Sequence, residues 1–169
     1  MATAYKLALA DGDISHAALG PLVTEVLAYV QQAADVSASA IVCRLPENGG
    51  ENSFLELDRA IPMALLLVEV MWPLLDDDHG PLMRARLDFR RNGDRMDLVL
   101  RDMNAETAPR PGMAQAQRMS GRLRQAFISQ LDATPLDADC IQEICAAPTA
   151  PGRVVLAISI PVLNDRHVA

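Results

Sequence analysis

The chain has 169 residues, a length that suits one domain burying its own hydrophobic core without disulfides or a metal ion. Half of the residues are hydrophobic but only 4% are aromatic, so aliphatic side chains must form most of the core, and a disordered chain is excluded. The formal net charge of −7 would repel a phosphate backbone, which makes nucleic acid a poor partner.

The cysteines and the apolar segments indicate an intracellular, non-membrane protein. Cys43, Cys140 and Cys145 lack the spacing of a metal site, and we interpret them as reduced core residues. The N-terminal sequence MATAYKLALADGD lacks the basic and apolar segments of a signal peptide, so we expect a cytoplasmic protein. The longest apolar run, at 60–75, is shorter than a membrane span and contains two prolines, which predicts a buried helix and no membrane insertion.

Two amphipathic helices are predicted from apolar residues that recur at helical spacing. The first runs from Ile14 to Gln32, and Ser15 can cap its start. The other covers 114–131 and stops before Pro135. The apolar stripe of this helix consists of Met119, Leu123, Phe127 and Leu131.

The apolar run at 60–75 is expected to form a further helix between these two. Asp58 should cap its start. Pro73 should end it near Trp72, because proline lacks an N–H donor and its ring clashes with the preceding turn.

The remaining segments have the alternation or the β-branched content of strands. AIVCRL at 40–45 and FLEL at 54–57 are expected to be strands, as are DCIQEICAA at 139–147 and RVVLAISIPV at 153–162. A hairpin is predicted over 83–101, turning at Asn92-Gly93. Its buried face would include Met83, Ala85, Leu87, Phe89, Met96, Leu98 and Leu100. Its solvated face would carry Arg84, Arg86, Arg90 and Arg95.

This order of elements predicts an α+β fold, a two-layer α/β sandwich. Three helices would lie on one face of a mixed, mostly antiparallel sheet. We expect one domain over 14–163, preceded by a lead-in at 1–13 and followed by a tail at 164–169.

Four segments, taken in order and spacing, resemble the ATP-binding domain of bacterial sensor histidine kinases. They are FLELDRAIPMALLLVEVMWPLL (54–75), DLVLRDMNA (97–105), RMSGRLRQAFISQL (118–131) and GRVVLAISIPV (152–162). The segment at 5–30 is similar to the one that precedes this domain in the kinases. The resemblance is to the HWE or HisKA_2 kind, within the GHKL superfamily, and it implies a Bergerat fold and a place in two-component signalling.

The resemblance also implies that the metal site of the family is lost. Glu69 matches the helix glutamate of these kinases, but the asparagine that helps hold Mg-ATP four residues later is Pro73. Magnesium needs oxygen ligands, and proline has no side-chain oxygen. A buried carboxylate is costly unless it is paired. Glu69 is therefore either a relic of the base or metal ligand, or a structural glutamate bonded to an arginine or a backbone donor.

The nucleotide pocket is expected to be weakened in the same way. Asp102 matches the aspartate that reads the adenine amino group, but Asn104 replaces the glycine two residues later. Gly121 matches a glycine at the start of a later helix, and Leu123 stands where a second glycine is usual. Glycine permits the close backbone approach that a phosphate requires, and the acidic run at 76–78 would oppose a triphosphate. Two roles stay open for Asp102: reading adenine, or capping the loop that follows its strand.

No histidine has the neighbours that phosphoryl transfer requires, so we expect His16, His79 and His167 to be solvated. The kinases carry their phosphoacceptor histidine on a dimerising helical hairpin ahead of this domain, and we expect no such hairpin before Ile14. We therefore predict no catalytic residue, no metal site and a monomer or weak dimer.

The main hypothesis is a histidine-kinase-like domain that has lost ATP and Mg binding. It would act as a protein-binding or phosphotransferase-type module, similar to the C-terminal domain of ChpT-type histidine phosphotransferases. Its partners would be signalling proteins such as a response regulator or a kinase, and no cofactor is expected. We expect the cleft between the helices at 59–72 and 114–131 to be shallow or closed, filled by Met103 and Met113.

Two alternatives remain. One is a diverged catalytic domain that still binds ATP and Mg. The other is an unrelated α+β domain.

Overall fold

A computed structural model describes residues 15–37, 40–46, 53–75, 85–103, 113–145 and 152–164. The helices in these ranges are α1 (Leu19–Ala33), α2 (Leu57–Leu75), α3 (Met113–Gln130) and α4 (Ala138–Ile144). The strands are β1 (His16–Ala18), β2 (Ile41–Arg44), β3 (Ser53–Glu56), β4 (Ala85–Asn92), β5 (Arg95–Asp102), β6 (Thr134–Pro135), β7 (Arg153–Pro161) and β8 (Leu163–Asn164).

The strands form two sheets. The larger has the order β2-β4-β5-β7-β6, with β2 and β4 parallel and all other neighbours antiparallel. The smaller has the order β1-β3-β8 and is antiparallel throughout. Because α1, α2 and the end of α3 pack their apolar residues against one face of the larger sheet, the predicted α+β sandwich is confirmed. None of the helices in the described ranges combines the length and the apolar character that a membrane crossing requires.

An aliphatic core lies between the helices and the larger sheet, as the composition predicts. Its side chains are almost completely removed from water, and burying one leucine of this kind contributes about 1.5–3 kcal/mol. They include Leu22, Val26 and Val30 of α1, Met63, Leu67 and Val70 of α2, and Leu87, Leu98, Leu100, Leu156, Ile158 and Ile160 of the sheet.

The β4-β5 hairpin has the predicted register. Phe89 lies opposite Leu98, and both side chains are buried beneath the helices. The turn consists of Gly93 and Asp94, one residue later than predicted, and Gly93 has a φ of 62° that glycine adopts without strain. The predicted positions at 83 and 84 lie outside the described residues.

The second face of the hairpin is not the solvated face that the alternation predicted. Arg86, Asp88 and Arg101 are only 8%, 3% and 4% exposed. Arg90 and Arg95 are half-buried. The expectation of a solvated arginine series is therefore wrong for Arg86, because this face is covered and its charges are paired.

The start of α1 differs from the prediction. Residues His16–Ala18 pair with β3 as a strand, so the helix begins at Leu19 instead of Ile14. Ala18 is the N-cap residue and its side chain makes no capping hydrogen bond, so Ser15 is not the cap. Pairing with a distant strand has outweighed the helical periodicity of this segment.

Both ends of α2 also differ. The helix begins at Leu57, so Asp58 lies in the first turn and not at the cap. It continues past Pro73 to Leu75. Proline removes one hydrogen bond from the helix, but the buried side chain of Leu75 packs the next turn against the core, which offsets that loss.

The segment predicted as a strand at 139–147 begins instead as α4. Asp137 is its N-cap, and the carboxylate accepts a hydrogen bond of 2.8 Å from the backbone N–H of Cys140. Asp139 adds a negative charge to the first turn, where it favours a helix. The capping aspartate was the sequence signal that the strand interpretation missed. The other strand predicted here, at 153–162, is confirmed as β7.

Candidate functional site

The candidate site begins on the exposed side of α2. Leu65, Glu69 and Trp72 are spaced by four and three residues, so they lie along one side of the helix. Leu65 and Trp72 are 38% and 43% exposed, and Glu69 between them is half-buried. This surface therefore presents one carboxylate flanked by two large apolar side chains.

Glu69 is less buried than the sequence suggested, and within the described part of the chain it has no hydrogen-bond or ion-pair partner. Half-burial leaves the carboxylate in contact with water, which removes the need for a protein partner. The interpretation of Glu69 as a glutamate tied to an arginine or a backbone donor therefore finds no such contact among these residues.

Pro73 lies one helical turn after Glu69 and is exposed. An asparagine here would project a side-chain oxygen from the same side of α2 as the glutamate. The pyrrolidine ring offers an apolar surface instead. In the described ranges, no group of three or more histidine, cysteine, aspartate or glutamate side chains could hold a metal ion.

Asp102 is the last residue of β5, on the helix side of the sheet by alternation with Leu98 and Leu100. Its side chain is 14% exposed, and Oδ2 lies 3.4 Å from Nη2 of Arg153, its register partner in β7. Sequence reasoning missed Arg153. The available signal was that Arg153 begins the last predicted strand, because antiparallel pairing brings the start of one strand to the end of its neighbour.

The glycine expected at the start of a helix lies elsewhere. Gly121 is in the interior of α3, eight residues after Met113, so the helix-start assignment is wrong. A Cβ added at Gly121 would meet nothing within 4 Å, so no close backbone approach requires a glycine here. Asn104 lies outside the described residues. The predicted filling of the cleft by Met103 and Met113 stays a prediction, because the Met113 side chain is not described.

The second half of the site lies on α3, the helix adjacent to α2. Leu123 is 48% exposed, so the apolar stripe predicted for this helix is not buried along its whole length. Phe127 is half-buried and packs against the core, and Leu131 is fully buried. Arg124 Nε is buried and has no hydrogen-bond partner among the described residues.

The described histidine and the three cysteines belong to other elements of the fold. His16 is half-buried in β1, opposite Glu56 in the register, and so keeps part of its surface in water; the other two histidines lie outside the described residues. Cys43 packs against the core as predicted, and burial, with a contribution from Asp88, raises the pKa of its thiol to about 12. The predicted core positions of Cys140 and Cys145 are wrong, because both are only partly buried and neither packs against the core.

Comparison with solved structures relates this architecture to histidine kinases. The Erythrobacter litoralis EL346 blue-light activated histidine kinase is similar with a TM-score of 0.58 at 14% identity, over 92% of this chain and 50% of that chain. The histidine kinase domain of the same protein is similar with a TM-score of 0.56 at 13% identity, over 86% of this chain and 65% of that chain. The chain thus spans half of the first structure and less than two thirds of the second. No protein-family model and no curated protein matches the sequence.

At this level of identity the similarity shows the fold alone. The chain has the fold of histidine kinase domains of the GHKL type, as the sequence resemblance implied.

Proposed function

We propose that the chain is a histidine-kinase-like domain that has lost Mg-ATP binding and serves as a protein-binding module in two-component signalling. The observation that carries this proposal is the exposed side of α2. There, Pro73 follows Glu69 by one turn, and the apolar side chains of Leu65 and Trp72 lie beside the carboxylate.

Magnesium chemistry supports the loss of nucleotide binding. Mg²⁺ requires near-octahedral oxygen coordination and is usually held by one or two protein ligands together with substrate phosphates and water. Glu69 supplies one carboxylate, and Pro73 supplies no side-chain oxygen in the next turn. Large apolar groups on either side favour removing this surface from water by contact with another apolar surface.

The adenine end of the site supports the same proposal. The ion pair between Asp102 and Arg153 engages the carboxylate that would otherwise accept a hydrogen bond from an adenine amino group. Arg153 is 59% exposed at its side chain, so the pair is solvent-screened and acts as a modest anchor for the strand ends.

The exposed apolar residues support a protein partner. Trp72 and Leu65 on α2 and Leu123 on α3 belong to adjacent helices of the outer layer. Tryptophan is enriched at the centres of protein interfaces, where it supplies much of the binding free energy. The proposed partners are signalling proteins, a response regulator or a kinase, and the proposed state of the isolated domain is a monomer or weak dimer without a cofactor.

A second candidate function, a diverged catalytic domain that binds ATP and Mg, is favoured by one observation. Glu69 is accessible to solvent and has no described protein partner, so it is available to a ligand.

Trp72 provides the test, because it is the chain's one tryptophan and lies on the candidate site. Its fluorescence is followed while ATP and MgCl₂ are added to the wild type and to the double variant Pro73→Asn, Asn104→Gly. We expect no saturable change in the wild type and a saturable, Mg-dependent change in the double variant. Saturable quenching of the wild type that requires Mg would overturn the proposal in favour of the catalytic domain.

A further inference from the structure

The second face of the larger sheet, opposite α1, α2 and α3, is basic although the chain as a whole has a net charge of −7. Strand alternation and register place five arginines and two aspartates on this face. They are Arg44 of β2, Arg86, Asp88 and Arg90 of β4, and Arg95, Asp97 and Arg101 of β5. A third of the chain's fifteen basic residues therefore lies on one surface.

The centre of this face has more positive than negative charge. Arg86 Nε lies 3.0 Å from Asp88 Oδ2, and Arg101 Nη2 lies 2.9 Å from the same oxygen. Two buried guanidinium groups thus share one carboxylate. Nε of Arg101 is buried and has no hydrogen-bond partner in the described ranges. A second carboxylate would neutralise this cluster and satisfy that donor, since arginine binds carboxylates through paired N–H groups.

Helix α4 covers part of this face and already supplies one carboxylate. Glu143 Oε2 accepts a hydrogen bond of 2.6 Å from Arg90 Nη1. Cys145 follows α4 directly; burial raises the pKa of its thiol, and the positive charge of Arg101 partly offsets that rise. Glu143 thus ties α4 to the sheet by an ion pair, beside the half-buried side chains of Ile141 and Ile144.

Helix α4 is weakly attached. It has seven residues, none of them fully buried, and an isolated helix of this length is unstable in water. The Glu143 side chain is 68% exposed, and ion pairs of this kind contribute little because solvent screens them. This ion pair therefore holds α4 on the face only weakly.

We propose that this basic face binds an acidic segment of a partner protein, with Glu143 of α4 acting as an internal occupant that the partner's carboxylates displace. A nucleic acid is a long polyanion and interacts with the charge of the whole molecule, so the net negative charge of the chain opposes its binding. A short acidic peptide needs only the local field of the five arginines. The inference concerns the side of the sheet opposite the candidate nucleotide site, so it does not rest on the loss of ATP binding.

Octaglutamate labelled with fluorescein is the probe, and fluorescence anisotropy is the measurement. Glu143→Gln removes the internal carboxylate, so octaglutamate should bind about two- to fivefold more tightly than to the wild type. Arg90→Gln should weaken binding by a similar factor. Binding should be lost at about 1 M ionic strength, where the screening length is about 3 Å.

Two matched variants on the helical layer serve as controls. Glu25→Gln on α1 and Arg122→Gln on α3 make the same changes of charge at exposed positions away from this face, and each should leave the affinity unchanged. A purely structural role for Glu143 would lower the melting temperature of Glu143→Gln without any gain in affinity, which overturns the proposal. Absence of octaglutamate binding, or tighter binding of an oligothymidylate than of octaglutamate, would also overturn it.

Discussion

The guanidinium of Arg153 lies 3.4 Å from the carboxylate of Asp102, across the β5–β7 pair at the edge of the candidate site. The residue that most resembles an adenine reader is thus held by the neighbouring strand. The contribution of Asp102 to the stability of the fold can therefore be measured without any ligand.

A double-mutant cycle tests whether Asp102 and Arg153 stabilise the fold together. Asp102→Ala and Arg153→Ala should each lower the free energy of unfolding, and the coupling between them should be about 0.2–1 kcal/mol, because the arginine is largely exposed. Urea denaturation of the four proteins gives the coupling. Strictly additive losses would show that the ion pair does not anchor the strand ends.

Gly121→Ala should stabilise the protein. The glycine lies inside α3 with open space around its Cα, and alanine in a helix interior is favoured over glycine by about 1 kcal/mol. For a chain of this length the melting temperature should rise by about 2–4 °C. Gly93→Ala is the contrasting control, since its φ of 62° is strained for any residue with a Cβ, and it should lower the melting temperature. A loss of stability in Gly121→Ala would indicate a close approach at α3.

Asp88→Asn should destabilise the fold strongly. The substitution leaves the guanidinium groups of Arg86 and Arg101 buried without their shared carboxylate, and breaking a buried ion pair in this way costs about 3–5 kcal/mol. The control is Asp94→Asn in the exposed hairpin turn, which should change stability by less than about 0.5 kcal/mol. Equal effects of the two substitutions in urea denaturation would contradict the account of the second sheet face.

Cys43 should make the fold less stable at alkaline pH. The folded-state pKa of about 12 exceeds the ordinary value of 9.0, so the protonated thiol favours the native state, and this contribution is lost as the pH rises above 9 and the unfolded thiol ionises. Between pH 9 and 11, wild type should therefore lose more stability than Cys43→Ala. The two proteins are compared by urea denaturation at each pH. Parallel pH profiles would show that the thiol is solvated.

The hairpin shows what the sequence could predict and what it could not. Alternation fixed which residues of β4 and β5 face the helices, because a shift by one residue would bury the wrong side chains. The same alternation made Arg86 look solvated. Arg86 is paired with Asp88, which also binds Arg101 of the neighbouring strand. Helix α4, which contacts the same face through Arg90, follows β4 by about fifty residues. Nothing local to the hairpin specifies that second covering layer.

The candidate site shows the same division. The motif positions Glu69 and Asp102 could be located from the resemblance, and the adjacency of α2 and α3 follows from the fold. The partner of Asp102 and the interior position of Gly121 could not, because the first depends on strand pairing and the second on where α3 begins. The continuation of α2 past Pro73 escaped prediction for a similar reason, since tertiary packing of Leu75 supports the last turn.

The most direct test of the central claim is calorimetric titration of the wild-type protein with ATP in the presence and absence of Mg²⁺. Glu69, Pro73 and Asp102 together predict no binding heat at micromolar or submillimolar nucleotide with the metal present, and no difference between wild type and Asp102→Ala. Micromolar binding that requires Mg²⁺ and disappears in Asp102→Ala would contradict the claim and establish a working nucleotide site.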